Sequence, residues 1–226
     1  PLRDPSLPTG VANTFISDGG LRTFATYLGA AALLEAKHLD AAMPQDVDYV
    51  FIEGYLVQNH ELIERAVELS HQRGAKVCLD LASWNIVESE HAFFERLLPN
   101  IDIVFANEDE ARAMTGRIGE EAARLLAQTC QIAIVKCGPR GAVAVEGDQC
   151  VSAPATPVAQ VLDTTGAGDF FAGGFLHRHA LGGSLKDCLC EGAACAGEVI
   201  QVIGTQLPET TWQRLRAEST ARCSTH

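Results

Sequence analysis

The chain has 226 residues, of which 47% are hydrophobic, and its formal net charge is −12. This length suits one large α/β domain or two small ones, with a sizeable core, and no apolar run approaches the length of a membrane span. The acidic balance without a basic patch argues against nucleic acid as a partner. The eight cysteines form no paired CxxC motifs, so we expect free thiols and a cytoplasmic protein.

Turn signals and hydrophobic spacing predict the elements in chain order. The proline-rich residues 1–9 predict a linker, and two strands at 11–17 and 21–28 flank a DGG turn that predicts a hairpin. From residue 47 onward, strands alternate with helices, which predicts βαβ units and a mainly parallel sheet covered on both faces. The remaining predicted strands are 47–53, 76–81, 102–106, 131–136, 142–145 and 150–153, and the predicted helices are 60–73, 91–98, 108–115, 120–128, 169–181, 185–203 and 212–218.

The run DTTGAGD at residues 163–169 directly precedes an apolar, helix-forming stretch. A glycine turn that opens a helix points several backbone N–H groups at one spot, where the helix dipole also favours negative charge. Asp169 lies at the edge of this cup, placed to accept a proton from a hydroxyl that attacks a phosphoryl group. This combination predicts phosphoryl transfer to an alcohol, although a tight turn with an acidic residue in the first helical turn also has a purely structural interpretation.

Together with Ala172-Gly173-Gly174-Phe175, this run resembles the second signature of the PfkB/ribokinase family of sugar and nucleoside kinases. The resemblance implies a ribokinase-like three-layer α/β/α fold, with a mainly parallel central sheet and a small β-hairpin lid. It implies that Asp169 is the catalytic base. The anion hole would then consist of Gly166, Ala167 and Gly168.

The resemblance also implies a division of the chain. Residues 10–28 would be the lid strands, 29–220 the ATP-binding α/β kinase core and 221–226 a tail. The family's N-terminal sugar-gripping motif has no counterpart here. Residues 1–9 would therefore be a linker or the remnant of a missing N-terminal part.

Several further segments match cofactor-binding motifs of the family. Asn107-x-x-Glu110 is by itself a helix N-cap with acidic residues, and the resemblance assigns it to the Mg²⁺–phosphate network, largely through water. The turn from 136 to 141 has a plain structural interpretation too, and the resemblance places it beside the ATP phosphates. The residues implied there are Lys136, Gly138 and Gly141.

Two more sites follow from the resemblance alone. The segment 192–205 would enclose the adenine, which implies roles for Ala193, Gly204 and Thr205, although small residues there also suit close helix packing. Asp163 and Thr165 would help to bind a monovalent cation such as K⁺, or would simply support the turn.

Within the family, the chain is most similar to adenosine kinase and adenosine-kinase-like proteins, through runs such as IEGYL at 52–56 and LDLAS at 79–83. Arg22 would reach from the lid to the transferring phosphate, or would be a solvated surface residue. The residues implied around the nucleoside base are Ala12, Phe24, Thr26, Leu28 and Leu56.

The function implied is transfer of the γ-phosphate of ATP, with Mg²⁺, to a primary hydroxyl, converting adenosine to AMP. A ribokinase- or fructokinase-like carbohydrate kinase is one alternative, and a non-catalytic nucleotide-binding fragment is a second. Both a monomer and a lid-mediated homodimer are compatible with the hairpin, and neither nucleic acid nor a membrane is an expected partner.

Overall fold

The computed structural model describes residues 3–16 and 22–223, and it describes the side chains in these ranges except at 16, 22–24 and 220–223. The predicted hairpin is present, because β1 (Thr9–Ile16) pairs antiparallel with β2 (Arg22–Gly29). The DGG turn at 18–20 lies outside the described residues. Large apolar side chains on both strands are exposed, as at Val11, Phe15 and Tyr27.

A six-stranded sheet forms the centre of the fold, in the order β3-β4-β5-β6-β7-β8. The strands β3 to β6 are parallel, and β7 and β8 add an antiparallel edge. The predicted mainly parallel sheet is therefore confirmed. The strand bounds are Tyr49–Glu53 (β3), Lys76–Asp80 (β4), Ile103–Asn107 (β5), Ile132–Lys136 (β6), Ala142–Glu146 (β7) and Gln149–Ala153 (β8).

Helices connect the strands and follow the sheet. Their bounds are Ala36–Ala42 (α1), His60–Gln72 (α2), Trp84–Ser89 (α3), His91–Leu97 (α4), Glu108–Thr115 (α5), Gly119–Leu126 (α6), Ala167–Ala180 (α7), Leu185–Val199 (α8) and Glu209–Cys223 (α9). No helix within residues 3–16 and 22–223 has both the length and the apolar character to cross a membrane.

Several helix bounds differ from the predictions. Helix α7 begins at Ala167 instead of 169, because Gly166 caps it with a left-handed φ of 75°. Helix α8 ends at Val199 instead of 203, and the chain then turns towards the segment before α7, where the N–H of Leu162 donates to the carbonyl of Ile200 at 2.8 Å. Helix α9 is longer than predicted, and α1 and α3 were not predicted.

Hydrophobic packing on both faces of the sheet produces three layers. The strand side chains alternate between the two faces, as expected for a sheet covered on both sides. On one face they pack against α2 to α6, with a core that includes Val77, Leu79, Val104, Phe94 and Leu126. On the other face they pack against α7 and α8, with a core that includes Cys78, Phe105, Ile134, Phe175 and Leu189.

The same alternation places polar residues together at the carboxyl ends of the parallel strands. Glu53, Asp80, Asn107 and Lys136 are the last residues of four neighbouring parallel strands. Each lies two positions after a residue that packs on the α7–α8 face, so all four belong to that face. The carboxyl ends of parallel strands are where ligands bind in open α/β sheets, and the N-terminus of α7 lies at this edge.

Candidate active site

The N-terminus of α7 is a glycine turn, followed by an acidic residue in the first turn of the helix. Gly166 is the N-cap, and Asp169 is the third helical residue. A side chain at Gly166 would be strained, because its φ is 75° and a Cβ would lie 2.8 Å from the Cγ2 of Thr205. The N–H of Ala167 donates to the carbonyl of Thr164 at 3.3 Å. The predicted anion hole of Gly166, Ala167 and Gly168 stays a prediction, and the amide of Asp169 also lies in this first turn, where backbone N–H groups can meet an anion.

A buried ion pair lies directly beside this turn. The Nζ of Lys136 donates to Oδ2 of Asp80 at 2.7 Å, and both side chains are largely buried. A Cβ added to Gly168 would lie 3.2 Å from that Nζ, so the ammonium lies against the first turn of α7. Burial lowers the pKa of Lys136, but the negative charges of Asp80, Glu110 and Asp169 outweigh it and raise the pKa overall. Lys136 therefore stays charged.

Several carboxylates on neighbouring strands and helices lie near Lys136. Burial, followed by repulsion from Asp80 and Asp169, raises the pKa of Glu53 to about 7. Burial and the charge of Asp80 also raise the pKa of Asp169, and Lys136 opposes this shift. A base with a raised proton affinity beside a fixed cation suits proton abstraction from an alcohol.

Asn107 and Glu110 form a reciprocal cap at the start of α5. The Oδ1 of Asn107 accepts from the N–H groups of Asp109 and Glu110, each at 2.9 Å. The Oε2 of Glu110 accepts from the N–H of Asn107 at 2.7 Å, and Oε1 accepts from its Nδ2 at 2.5 Å. Burial, followed by the charge of Asp80, raises the pKa of Glu110 to about 7, although Lys136 and the hydrogen bond from the N–H of Asn107 oppose this shift.

This cap fits an indirect role near a metal better than direct ligation, because both Glu110 oxygens already accept hydrogen bonds. In the part of the chain that the structure describes, no three His, Cys, Asp or Glu side chains are arranged to hold a metal ion. Mg²⁺ in nucleotide sites keeps several waters and binds mainly to phosphates, so the donor set fits the predicted contact through water.

Asp163 joins the turn before α7 to the loop after α8. Its Oδ1 accepts from the N–H and the Oγ1 of Thr165, at 2.9 and 2.6 Å, and its Oδ2 accepts from the N–H of Gly204 at 3.0 Å. Thr205 then packs on Gly166. The structure thus brings Gly204 and Thr205 close to the glycine turn that precedes α7. The predicted K⁺ site at Asp163 and Thr165 stays a prediction.

The remaining residues that were predicted to bind the nucleotide lie in different surroundings. Gly138 and Gly141 flank the turn between β6 and β7, with φ values of 56° and 95°. Ala193 is buried in the core on the α7–α8 face, where it packs with that layer. Its predicted contact with adenine stays a prediction.

The predicted base-binding residues lie in two places. Ala12 and Thr26 are opposite each other in the hairpin, and Leu28 is two residues further along β2. Leu56 is exposed in a 3₁₀ turn that follows β3. The side chains of Arg22 and Phe24 lie outside the described part of the structure, so their predicted roles stay predictions.

A cavity of about 470 Å³ borders Asp169 on the side of α8 and α9. The rings of Phe170 and Trp212 stack at its edge, with centroids 5.6 Å apart. Glu191 is buried beneath it and accepts a 2.9 Å hydrogen bond from Ser219 Oγ, and its Oε1 lies 2.6 Å from Nδ1 of His177. Sequence reasoning did not identify this cavity, because its walls come from three separate helices.

Asp80 and Glu53 are the site residues that sequence reasoning missed. Each ends a mostly apolar strand, at the same end of the sheet as Asn107. The rule that ligands gather at the carboxyl ends of strands applied to Asn107 and would have identified these two carboxylates as well.

Comparisons with known proteins agree with this geometry. The sequence matches the family described as pfkB family carbohydrate kinase over residues 2–212. Adenosine kinase from Schizophyllum commune is 31% identical, covering 92% of this chain and 66% of its own length. The chain spans about two thirds of the length of such curated relatives, 65% for two adenosine kinases of Arabidopsis thaliana.

Two solved structures are similar throughout most of the chain. A probable sugar kinase from Rhizobium etli has a TM-score of 0.88 at 33% identity, covering 96% of this chain and 68% of that one. Adenosine kinase from Sinorhizobium meliloti has a TM-score of 0.87 at 32% identity, covering 93% and 66%. The predicted ribokinase-like fold is confirmed, and the chain belongs to the PfkB family of carbohydrate kinases.

Proposed function

We propose that the protein is an ATP-dependent kinase that transfers the γ-phosphate to a primary hydroxyl of a nucleoside, converting adenosine to AMP. One observation carries the proposal. Asp169 lies in the first turn of a helix that opens with glycine, and the ammonium of Lys136 lies against the neighbouring Gly168. A base, a cation and helix amides thus converge where an alcohol and a phosphoryl group can meet.

In this proposal Asp169 accepts the proton of the hydroxyl as its oxygen attacks the γ-phosphorus in line with the leaving ADP. The amides of Gly168 and Asp169 and the ammonium of Lys136 neutralise charge on the phosphoryl group as it moves. Mg²⁺, when bound through the phosphates, supplies further positive charge, and the cap of Asn107 and Glu110 would orient its water ligands.

Adenosine is favoured as the acceptor because the chain is similar to proteins named adenosine kinase. The exposed Leu28 and Leu56 also suit an apolar ring such as a purine. A carbohydrate acceptor is the second candidate. It is favoured by the likeness to a probable sugar kinase, and by the polar Thr26, which interrupts the apolar lining of the hairpin.

Release of ADP from Mg-ATP tests the proposal, with adenosine, other nucleosides, ribose and fructose offered separately. We expect turnover with adenosine and little with free sugars. Turnover with a sugar alone would keep the chemistry and replace the acceptor. Binding of ATP without turnover on any acceptor would contradict the proposal and favour a nucleotide-binding fragment.

A further inference from the structure

We infer that Asp80 is a positioning residue, which holds the ammonium of Lys136 against Gly168 and away from Asp169. This inference rests on the proposed function in one respect, namely that a phosphoryl group binds beside Gly168. It assigns the carboxylate of Asp80 no contact with substrate. Its role is to fix the position of the Lys136 ammonium.

Asp80 is itself fixed by the chain that follows β4. Its Oδ1 accepts from the N–H of Ala82 at 2.9 Å, which leaves Oδ2 for Lys136. Ala82 has a left-handed φ of 66°, uncommon for a residue with a side chain, so the chain bends sharply directly after this hydrogen bond. One oxygen is therefore used to orient the group and the other to bind the lysine.

The lysine reaches Asp80 across an intervening strand. Lys136 ends β6 and Asp80 ends β4, with β5 between them. Its side chain therefore extends along the α7 side of the sheet and passes beneath the first turn of that helix. An ammonium has three N–H donors, so the bond to Asp80 leaves two for a ligand beside Gly168.

The charges around Lys136 explain why such a device is needed. Glu53, Glu110 and Asp169 approach from β3, α5 and α7, and each interacts electrostatically with this lysine. Among the described residues, the ion pair of Lys136 is with Asp80. If the lysine paired with Asp169 instead, it would stabilise the ionised base and weaken its attraction for a proton. It would also withdraw donors from the phosphoryl group.

A purely structural salt bridge predicts different behaviour. Removing one partner of a buried pair mainly lowers the free energy of unfolding, and neutralising both restores much of it. A positioning role instead predicts a loss confined to the transition state of the reaction. The two can be separated with the variants Asp80→Asn, Lys136→Met and the double variant.

The test measures the affinity for Mg-ADP by calorimetry, alone and with aluminium fluoride as a mimic of the moving phosphoryl group, with and without adenosine. We expect Asp80→Asn to keep its affinity for Mg-ADP within about threefold and to lose about tenfold or more with the mimic. Where an acceptor is turned over, kcat should fall by a similar factor while KM for ATP stays nearly constant.

The double variant and a matched control complete the test. If Asp80 acts through Lys136, the double variant should be no worse than Lys136→Met. Asp102→Asn is the control, because the carboxylate of Asp102 also accepts from a backbone N–H, that of Val77 at 2.7 Å, but at the end of β4 opposite to Asp80. It should retain the affinity for the mimic.

Three results would overturn the inference: an unchanged affinity for the mimic in Asp80→Asn, an equal loss with Mg-ADP alone, or additive losses in the double variant. If Asp80→Asn does not fold, the double variant, with both charges removed, decides by comparison with Lys136→Met. A wild type that binds the mimic but phosphorylates no acceptor would refute the proposed function and leave this inference standing.

Discussion

Glu53 and Asp80 occupy paired register positions at the ends of β3 and β4, and Asp169 faces them from α7. Partial burial and the charge of Asp80 raise the pKa of both Glu53 and Asp169, and Lys136 compensates only in part. The repulsion between these carboxylates lowers the free energy of unfolding by an amount that depends on pH. Such a cluster of carboxylates favours the binding of additional positive charge.

Replacing Glu53 with Gln should remove part of that pH dependence. The pKa of Glu53 is about 7 in the folded protein and ordinarily 4.5, so the folded state holds this proton more tightly. Stability should therefore fall as pH rises from about 4.5 to about 7 and stay low above that. Urea unfolding at pH 5 and pH 8 should show Glu53→Gln gaining stability over wild type at the higher pH.

The exposed Glu61, in the first turn of α2, provides the matched control for replacing Glu with Gln outside the crowded site. A Glu53→Gln difference that was the same at both pH values would contradict the explanation of crowded carboxylates.

At the scale of elements, the turn between β6 and β7 depends on one glycine far more than on its neighbour. A Cβ at Gly141 would lie 1.9 Å from the carbonyl oxygen of Ala153, and its φ is 95°. A Cβ at Gly138, with φ 56°, would meet nothing within 4 Å. Only Gly141 is therefore required by close backbone approach.

Alanine at these two positions should separate the effects. Gly141→Ala should lower the free energy of unfolding by about 3 kcal/mol or more, since both strain and a clash must be relieved. Gly138→Ala should cost about 1 kcal/mol, the cost of a left-handed residue alone. Chemical denaturation of both variants measures this difference, and equal losses would contradict the local geometry.

Elements with strong periodicity were predictable, and those made by tertiary contacts were not. The apolar runs of β4, β5 and β6 predicted strands that the structure confirms within one or two residues. The end of α8 was wrong, because contacts of the segment 200–204 with the chain before α7, such as the bond from Gly204 to Asp163, are invisible in local sequence. In the site, DTTGAGD predicted Asp169, while the pair of Asp80 and Lys136 needed the strand order to become visible.

At the scale of the whole molecule, the hairpin stands apart from the hydrophobic core. Both core clusters are built from residues 49 onward, and neither contains a hairpin residue. Among the described residues, a 2.9 Å hydrogen bond from Asn59 Nδ2 to the carbonyl of Leu34 links the segment before the sheet to the start of α2. We therefore expect the contacts that stabilise the sheet to lie mainly after the hairpin.

A variant that lacks residues 1–29 should therefore unfold cooperatively, with a midpoint within about 3 °C of the full chain. Circular dichroism during heating measures this. Loss of the cooperative transition would show that the hairpin contributes to the core after all.

The central claim is that Asp169 is the base of a phosphoryl transfer, and turnover by Asp169→Asn tests it most directly. Asp187→Asn is the matched control, because Asp187 is the third residue of α8 just as Asp169 is of α7. With Mg-ATP and the acceptor that the wild type uses, Asp169→Asn should lower kcat by about two or more orders of magnitude, with ATP affinity nearly unchanged. Asp187→Asn should keep its turnover, and near-normal turnover by Asp169→Asn would contradict the account.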